Sequence, residues 1–310
     1  MNNKHQKSSD NKLAAVYQQT IKAVKAGQYT AEDGTIVTLG DDREMRENSR
    51  FYDRKFTVND FPANNTPTTV CILKTDSISA GKQLLDAGYC PVVLNFANRH
   101  RAGGGALRGS HAQEESLFRQ TNLFRSLYQF MPDAILYGVE QNRRQYPMDR
   151  NFGGVYTPFA TVLRGRDSEG NPFLSHPFKL SFIAVAALDL RKKADNNKTM
   201  LSSQDAAITK NKMRTILRIG ILHGHDSIVL GAFGCGAFKN PPHHIAQLFK
   251  EVINESEFKN KYKMIVFPII EKHSNGQGKS QESKLEAFSN VFNLAPVASI
   301  PASVAMAGLY

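Results

Sequence analysis

Short apolar runs alternate with amphipathic stretches along most of the chain, and the alternation becomes regular from residue 68 onward. The apolar runs have the length of strands, which are predicted at 70–73, 91–96, 134–139, 155–163, 182–188, 227–231 and 263–270. The amphipathic stretches predict helices at 13–26, 77–87, 114–130, 212–223, 242–253 and 280–292. Continuous apolar runs are typical of strands buried on both faces, so the pattern predicts an α/β sheet with helices on both sides.

The segments between these elements are polar and rich in turn-forming residues. Residues 1–12 are predicted to be a disordered tail. Loops are predicted at 164–179 and 191–204, where glycine, proline, asparagine and aspartate accumulate. The chain is therefore divided into three regions, which are a tail with an accessory segment at 1–66, a core domain at 67–295 and a C-terminal tail at 296–310.

The composition is that of a soluble globular protein, with 41% hydrophobic and 22% charged residues. No run reaches the roughly 18 apolar residues of a membrane span, and the N-terminus lacks the apolar region of a secretory signal. Cys71, Cys90 and Cys235 show no metal-binding or redox spacing, which favours reduced thiols. These features predict a cytoplasmic protein.

The net charge of +11 favours an anionic partner. The basic residues are scattered, with short clusters at 143–144 and 191–193, so no direct readout of a nucleic-acid sequence is expected. A pyrophosphate ligand or an acidic partner explains the positive charge as well as a nucleic acid does.

The first candidate site follows the predicted strand at 91–96. Asn95-Phe96-Ala97-Asn98 is followed by Gly103-Gly104-Gly105, and then by Gln113-Glu114-Glu115 at the predicted start of a helix. Glycine lets the backbone approach a ligand closely, and successive backbone N–H groups near a helix N-terminus favour an anion.

The paired glutamates have two interpretations. Acidic residues in the first turn of a helix stabilise it through the helix dipole, and this role needs no ligand. A carboxylic acid beside a phosphate-binding loop can also protonate a glycosidic leaving group. The triple glycine and the preceding strand favour the second interpretation.

These motifs resemble the signature of bacterial-type poly(ADP-ribose) glycohydrolases, in which Gln-Glu-Glu follows a triple glycine at a similar spacing. The resemblance implies that Glu115 is the catalytic acid, which protonates the departing ribose oxygen and then activates water. It places Glu114 at the ribose being cleaved, and Gln113 on the loop or on the substrate hydroxyls. It also implies ADP-ribose contacts for Asn95, Asn98, Gly103, Gly104 and Gly105.

A second glycine loop spans 231–241, between a predicted strand and a predicted helix. Its glycine spacing alone is a weak dinucleotide signal, and no suitable acidic residue follows for a Rossmann site. The loop resembles a second family loop with phenylalanine in place of tryptophan. The resemblance implies that ADP-ribose contacts Phe233, Gly234, Cys235, Gly236, Ala237 and Phe238. Core packing is the alternative for Phe233 and Phe238.

The resemblance extends over most of the chain and implies a macrodomain-like three-layer α/β/α sandwich with a mixed central sheet. Phe267 lies in the predicted last strand and could stack on adenine, with core packing as the alternative. The chain departs from the family pattern at Ala102, Phe233 and Asp189. No metal or other cofactor is expected, since His243-His244 lacks a metal-binding pattern.

The predicted function is hydrolysis of an O-glycosidic ribose linkage in poly(ADP-ribose) or in protein-linked ADP-ribose. One alternative is a mono-ADP-ribosyl-protein hydrolase, for example on modified arginine. Another is a non-catalytic ADP-ribose-binding module, which needs the loops but not the acid. The expected partner is ADP-ribose or an ADP-ribosylated protein, and a monomer without membrane association is expected.

Overall fold

A computed structural model of the chain describes residues 2–57, 66–132, 145–192, 199–270 and 283–301. Its backbone separates into two compact units, each assembled from non-contiguous segments. The first unit contains residues 1–53, 95–149 and 154–186. The second unit contains residues 54–94, 150–153 and 187–310. The predicted strand at 134–139 lies outside the described residues, as do most of the predicted C-terminal tail and the first residues of the last predicted helix.

The helices in the described residues are α1 (Asn2–Ala26), α2 (Arg43–Asn48), α3 (Ser77–Asp86), α4 (Gln113–Gln120), α5 (Phe124–Leu127), α6 (Ser203–Leu222), α7 (Pro242–Ile253) and α8 (Lys284–Phe292). The strands are β1 (Gln28–Thr30), β2 (Ile36–Thr38), β3 (Arg50–Tyr52), β4 (Thr69–Leu73), β5 (Pro91–Phe96), β6 (Gly154–Arg164), β7 (Phe173–Val185), β8 (Ser227–Val229) and β9 (Met264–Pro268). Within the described part of the chain, no helix is long and apolar enough to cross a membrane.

Seven strands form a mixed sheet in the order β3-β6-β7-β5-β8-β9-β4, and β1 pairs with β2. In the first unit, β3, β6 and β7 pair in antiparallel fashion. In the second unit, β8 pairs in parallel with β9 and with the start of β5, and β4 pairs in parallel with β9. The mixed sheet with its flanking helices confirms the predicted α/β fold.

Helix α1 begins at Asn2, so the prediction of a disordered tail over 1–12 is wrong. Its N-terminal half contacts another part of the first unit. The carbonyl oxygen of Asp10 lies against Gly109, and the Asp10 carboxylate lies 3.0 Å from Nε2 of His111. Contacts with residues so distant in sequence leave no mark on local hydrophobic periodicity, which is why the pattern indicated a helix only from residue 13.

The predicted helix at 114–130 is interrupted. Helix α4 ends at Gln120, and Thr121 is extended and forms a bridge with Val162 of β6. The Thr121 hydroxyl donates to the carbonyl oxygen of Leu117 at 2.8 Å, which satisfies a terminal carbonyl of α4. The break therefore results from pairing with a distant strand, and α5 begins after it.

Two predicted loops contain regular structure. Strand β7 begins at Phe173, inside the loop predicted at 164–179, because this part of the chain pairs with β6 across register shifts. The turn before it uses Gly170 and Asn171, which have φ of 84° and 57°. Helix α6 begins at Ser203, inside the second predicted loop. The Ser202 hydroxyl accepts from the amide of Asp205 and caps the helix.

Candidate active site

The two adjacent glutamates lie in the first turn of α4, as the sequence predicts. Both are buried, with 2% of Glu114 and 8% of Glu115 exposed. Burial of a carboxylate is unfavourable unless hydrogen bonds or charges compensate for the lost water. The contacts of these two side chains are therefore the central feature of the site.

The triple glycine supplies backbone donors to these carboxylates. The amide of Gly103 donates to Oε1 of Glu114 at 3.0 Å, and the amide of Gly105 donates to Oε1 of Glu115 at 2.8 Å. The amide of Gly104 donates to the carbonyl oxygen of Arg101 at 3.1 Å. Two amides of this loop therefore donate to the protein's own glutamates.

Close packing explains why this loop consists of glycine. Gly103 and Gly104 have φ of 75° and 50°, a region that L side chains rarely adopt. A Cβ atom on Gly103 would lie 2.5 Å from the Phe118 ring, and one on Gly104 would lie 2.5 Å from Oε1 of Glu115. The glycines therefore let the backbone lie directly against the acid pair and the buried ring behind it.

The segment that follows β5 provides further contacts to α4. The amide of Asn98 donates to Oε2 of Glu114 at 2.7 Å, so both oxygens of that carboxylate are held by backbone N–H groups. Oδ1 of Asn98 accepts from the amides of His100 and Arg101, which fixes the turn. Oε1 of Gln113 accepts from the amide of Phe96 at 2.9 Å. Gln113 therefore holds the end of β5 against the start of α4.

Burial raises the pKa of Glu114 well above its usual range, and the neighbouring charge of Glu115 raises it further. The amide hydrogen bonds from Gly103 and Asn98 act in the opposite direction. Burial also raises the pKa of Tyr146, and the negative charge of Glu114 adds to that rise. The acid pair thus lies in an environment that opposes the simultaneous ionisation of nearby groups.

The second glycine loop belongs to the second unit. Gly234 has φ of 75°, and a Cβ atom there would lie 2.6 Å from Nδ2 of Asn240 and 2.7 Å from the Ala187 side chain. Nδ2 of Asn240 donates to the carbonyl oxygen of Leu188 at 2.8 Å. Cys235 is buried, and burial raises its pKa to about 12. Asn240 was not among the residues predicted from the sequence, although this side chain fixes the loop.

The aromatic residues predicted near the ligand differ in exposure. Phe233 and Phe267 are fully buried and pack against Phe249, with ring centroids 6.5 and 5.4 Å away. This burial favours the core-packing alternative for both rings. Phe238 is half-buried, and the guanidinium of Arg191 lies 5.5 Å from its ring centroid. Gly236 and Ala237, which precede Phe238, are exposed.

Among the described residues, no group of three or more His, Cys, Asp or Glu side chains is arranged to hold a metal ion. The chemistry that the first unit displays is that of the carboxylic acids and of the backbone amides around them.

Residues 17–165 match the family model described as microbial-type PARG (poly(ADP-ribose) glycohydrolase), catalytic domain. This segment is therefore similar to microbial-type PARG catalytic domains. It contains Asn95, Asn98, the triple glycine and all of α4, so the match confirms the resemblance that the sequence motifs indicated. It ends before the second glycine loop, and the roles predicted for Phe233 to Phe238 stay predictions.

Solved PARG structures share the fold of most of the chain. The structure of PARG from Thermomonospora curvata has a TM-score of 0.74 and 24% identity, and the similarity covers 90% of this chain and 99% of that chain. The same protein bound to the inhibitor ADP-HPD gives 0.71 and 24%, with 90% and 98% covered. PARG from Deinococcus radiodurans in complex with ADP-ribose gives 0.63 and 22%, with 83% and 99% covered. No curated protein matches the chain.

Several buried polar atoms around the acid pair make no hydrogen bond in the described part of the chain. They are Oε2 of Glu115, the hydroxyl of Tyr146, and both polar atoms of the Asn95 side chain, which lies near enough to Glu114 to lower its pKa. Buried polar groups are nearly always hydrogen-bonded, so such a concentration indicates groups that a polar ligand or water satisfies. Tyr146 was not identified from the sequence, because nothing in its immediate neighbours marks it.

The contribution of Glu114 to the stability of the chain is expected to fall as the pH rises above about 4.5, the ordinary pKa of a glutamate. Glu114 has a raised pKa when folded, so its contribution is complete below the unfolded pKa and is lost as pH rises through the folded pKa. Glu115→Gln removes the charge that raises this pKa, and the variant should lose less stability with pH. Chemical denaturation between roughly pH 4 and pH 8 measures both slopes, and identical slopes would contradict this assignment.

Proposed function

We propose that the chain is an ADP-ribosyl glycohydrolase. It hydrolyses the O-glycosidic ribose linkage of poly(ADP-ribose) or of protein-linked ADP-ribose, with Glu115 as general acid and base. The observation that carries the proposal is the asymmetry of the Glu115 carboxylate. Oε1 accepts the Gly105 amide at 2.8 Å, whereas Oε2 is buried and has no hydrogen-bond partner in the described part of the chain. One oxygen thus fixes the side chain and the other is left for the reacting atoms.

The proposed reaction needs one carboxyl group and water. Glu115 in its acid form donates its proton to the glycosidic oxygen, and the bond between that oxygen and the anomeric carbon of ribose breaks. The leaving group departs as an alcohol, or as a carboxylic acid where ADP-ribose is linked to glutamate. Water then attacks the anomeric carbon, and the Glu115 carboxylate takes the proton that the water loses. The products are ADP-ribose with a free hydroxyl on its anomeric carbon and the released leaving group. Glu115 returns to its acid form.

In this proposal Glu114 positions the ribose rather than transferring the proton. Both of its oxygens accept backbone amides, from Gly103 and Asn98, so its orientation is fixed. A carboxyl group held in this way can form hydrogen bonds to ribose hydroxyls without moving first, which lowers the cost of substrate ordering. The buried side-chain amide of Asn95 is a further ribose contact in the proposal.

The experiment that tests the proposal incubates the purified chain with poly(ADP-ribose) and with proteins mono-modified on glutamate, serine or arginine. Release of ADP-ribose is followed by chromatography. Release from polymer or from an O-linked mono-modified protein supports the proposal. Release from modified arginine alone supports the mono-ADP-ribosyl hydrolase alternative and contradicts the O-glycosidic assignment. Binding of ADP-ribose without release supports a non-catalytic binding module.

The proposal places the reaction in the cytoplasm, with the chain acting as a monomer on ADP-ribose or ADP-ribosylated protein. The three cysteines carry free thiols, which suits a reducing compartment. Fractionation of cells and light scattering of the purified chain test these two points separately.

A further inference from the structure

We infer that Thr20, on accessory helix α1, is a positioning residue for Glu115 and acts through Arg119 of α4. The inference rests on the proposed function for its kinetic readout. Thr20 is fully buried. Its hydroxyl donates to the carbonyl oxygen of Arg119 at 2.6 Å and accepts from Nε of Arg164 at 3.0 Å. The hydroxyl thus joins α1 to the helix that carries the acid.

The carbonyl of Arg119 needs a partner from outside α4. The last four carbonyl oxygens of a helix accept no hydrogen bond from the backbone of that helix. Helix α4 ends at Gln120, so the Arg119 carbonyl is one of these four. Arg119 also lies four residues after Glu115, which places both on the same face of the helix. A shift of the helix at Arg119 therefore moves the Glu115 carboxylate relative to its loop.

The Arg119 side chain extends the connection to the triple glycine. It is fully buried, and its Nη1 donates to the carbonyl oxygen of Ser110 at 2.8 Å. The Ser110 amide donates to the carbonyl oxygen of Gly105 at 3.2 Å, and the Ser110 hydroxyl lies against Gly105. The Gly105 amide is the donor to Glu115. The path from Thr20 therefore reaches the acid both through α4 and through the loop.

The donor to Thr20 is itself held rigidly. Nη1 of Arg164 donates to the carbonyl oxygen of Asn171 at 2.6 Å, and its Nη2 donates to Oε1 of Gln19 at 3.0 Å. The guanidinium also lies 3.5 Å from the centroid of the Phe173 ring. Burial lowers the pKa of Arg164 to about 10. In the described part of the chain its hydrogen bonds go to neutral acceptors, so loss of the Thr20 oxygen leaves a buried cationic donor unsatisfied.

The test compares Thr20→Val with Thr20→Ser. Valine removes the hydroxyl at nearly constant volume, and we expect kcat to fall about tenfold while KM changes less than about threefold, since a small displacement of a catalytic group mainly affects turnover. Serine keeps the hydroxyl and should retain kcat within about threefold. If Thr20→Val does not fold, Thr20→Ala replaces it, because alanine also has no hydroxyl to donate to the Arg119 carbonyl oxygen.

The matched control is Thr209→Val in α6. Thr209 is also buried, and its hydroxyl donates to the carbonyl oxygen of Asp205 at 2.8 Å. Removal of this hydroxyl should lower Tm and leave kcat unchanged when measured well below Tm. The inference fails if Thr20→Val lowers Tm only, like the control, or if the serine variant is as impaired as the valine variant.

A second readout does not depend on activity. Loss of the Thr20 hydroxyl should increase hydrogen exchange at the Gly105 amide, which donates to Glu115, and Thr209→Val should not. If the wild-type chain releases no ADP-ribose, the proposed function fails while the exchange experiment still decides whether Thr20 positions the loop. Unchanged exchange at Gly105 in the Thr20 variants would overturn the inference.

Discussion

Glu115→Gln is expected to reduce turnover of an ADP-ribosylated substrate by roughly a factor of 10² to 10⁴, the usual contribution of general acid–base catalysis. Glutamine has no proton to donate to the glycosidic oxygen and cannot take one from water. Its amide oxygen can still accept the Gly105 amide, so the loop should keep its conformation. ADP-ribose affinity should therefore stay within about tenfold, because the change removes the acid and leaves the rest of the site intact.

Single-turnover release assays and calorimetric titration with ADP-ribose measure the two quantities. The matched control is Glu44→Gln, since Glu44 also lies in the first turn of a helix but is exposed. That variant should be fully active. Full activity of Glu115→Gln would contradict the mechanism, and a parallel loss of affinity and turnover would show that Glu115 mainly holds the site together.

Local pattern predicts the elements whose boundaries depend on their own residues. Strand β5 and helix α7 have the predicted limits, 91–96 and 242–253. Proline marks the first residue of both, and proline is compatible with a strand start and with the first position of a helix. The start of a helix at the paired glutamates was predicted for the same reason, since acidic residues suit a first helical turn.

Elements whose limits depend on distant partners were not predicted. Thr121 ends α4 because it pairs with Val162, and Phe173 begins β7 because it pairs with Arg164. Both residues occur in sequence contexts that are compatible with another structure. In the same way, α1 extends to Asn2 although its first residues carry no apolar periodicity. Tertiary contacts override local propensity at these positions.

The site shows the same division. The motifs correctly indicate a glycine loop against an acidic helix start, and the glycines lie where positive φ and close approach require them. The sequence could not show that the loop amides bind Glu114 and Glu115, because the direction of an N–H group depends on the folded backbone. Nor could it identify Thr20 and Tyr146, which reach the site from distant parts of the chain. A buried hydroxyl has no sequence signal unless its partner is known.

Gly104→Ala is expected to reduce turnover by roughly 100-fold, the cost of misplacing a catalytic group by about 1 Å. A Cβ atom at this position would lie 2.5 Å from Oε1 of Glu115 and 3.1 Å from Oε2 of Glu114. The carboxylates would have to move away from the loop, and Glu115 would lose its hydrogen bond from Gly105. Alanine at φ of 50° should also cost about 1–2 kcal/mol of folding free energy, because the left-handed region is unfavourable for L residues.

Gly34→Ala separates these two effects. Gly34 has φ of 85°, and a Cβ atom there would have no neighbour within 4 Å, so the variant incurs backbone strain without any contact with the acid pair. Thermal denaturation should show comparable losses of stability in the two variants, whereas release assays should show lost turnover only for Gly104→Ala. If both variants keep full turnover, the close approach of the loop to the glutamates is not required for catalysis. If both lose it equally, the effect comes from destabilisation, since the control does not touch the acid. Loss confined to Gly104→Ala would therefore identify the glycine as the residue that allows the backbone to hold the acid in place.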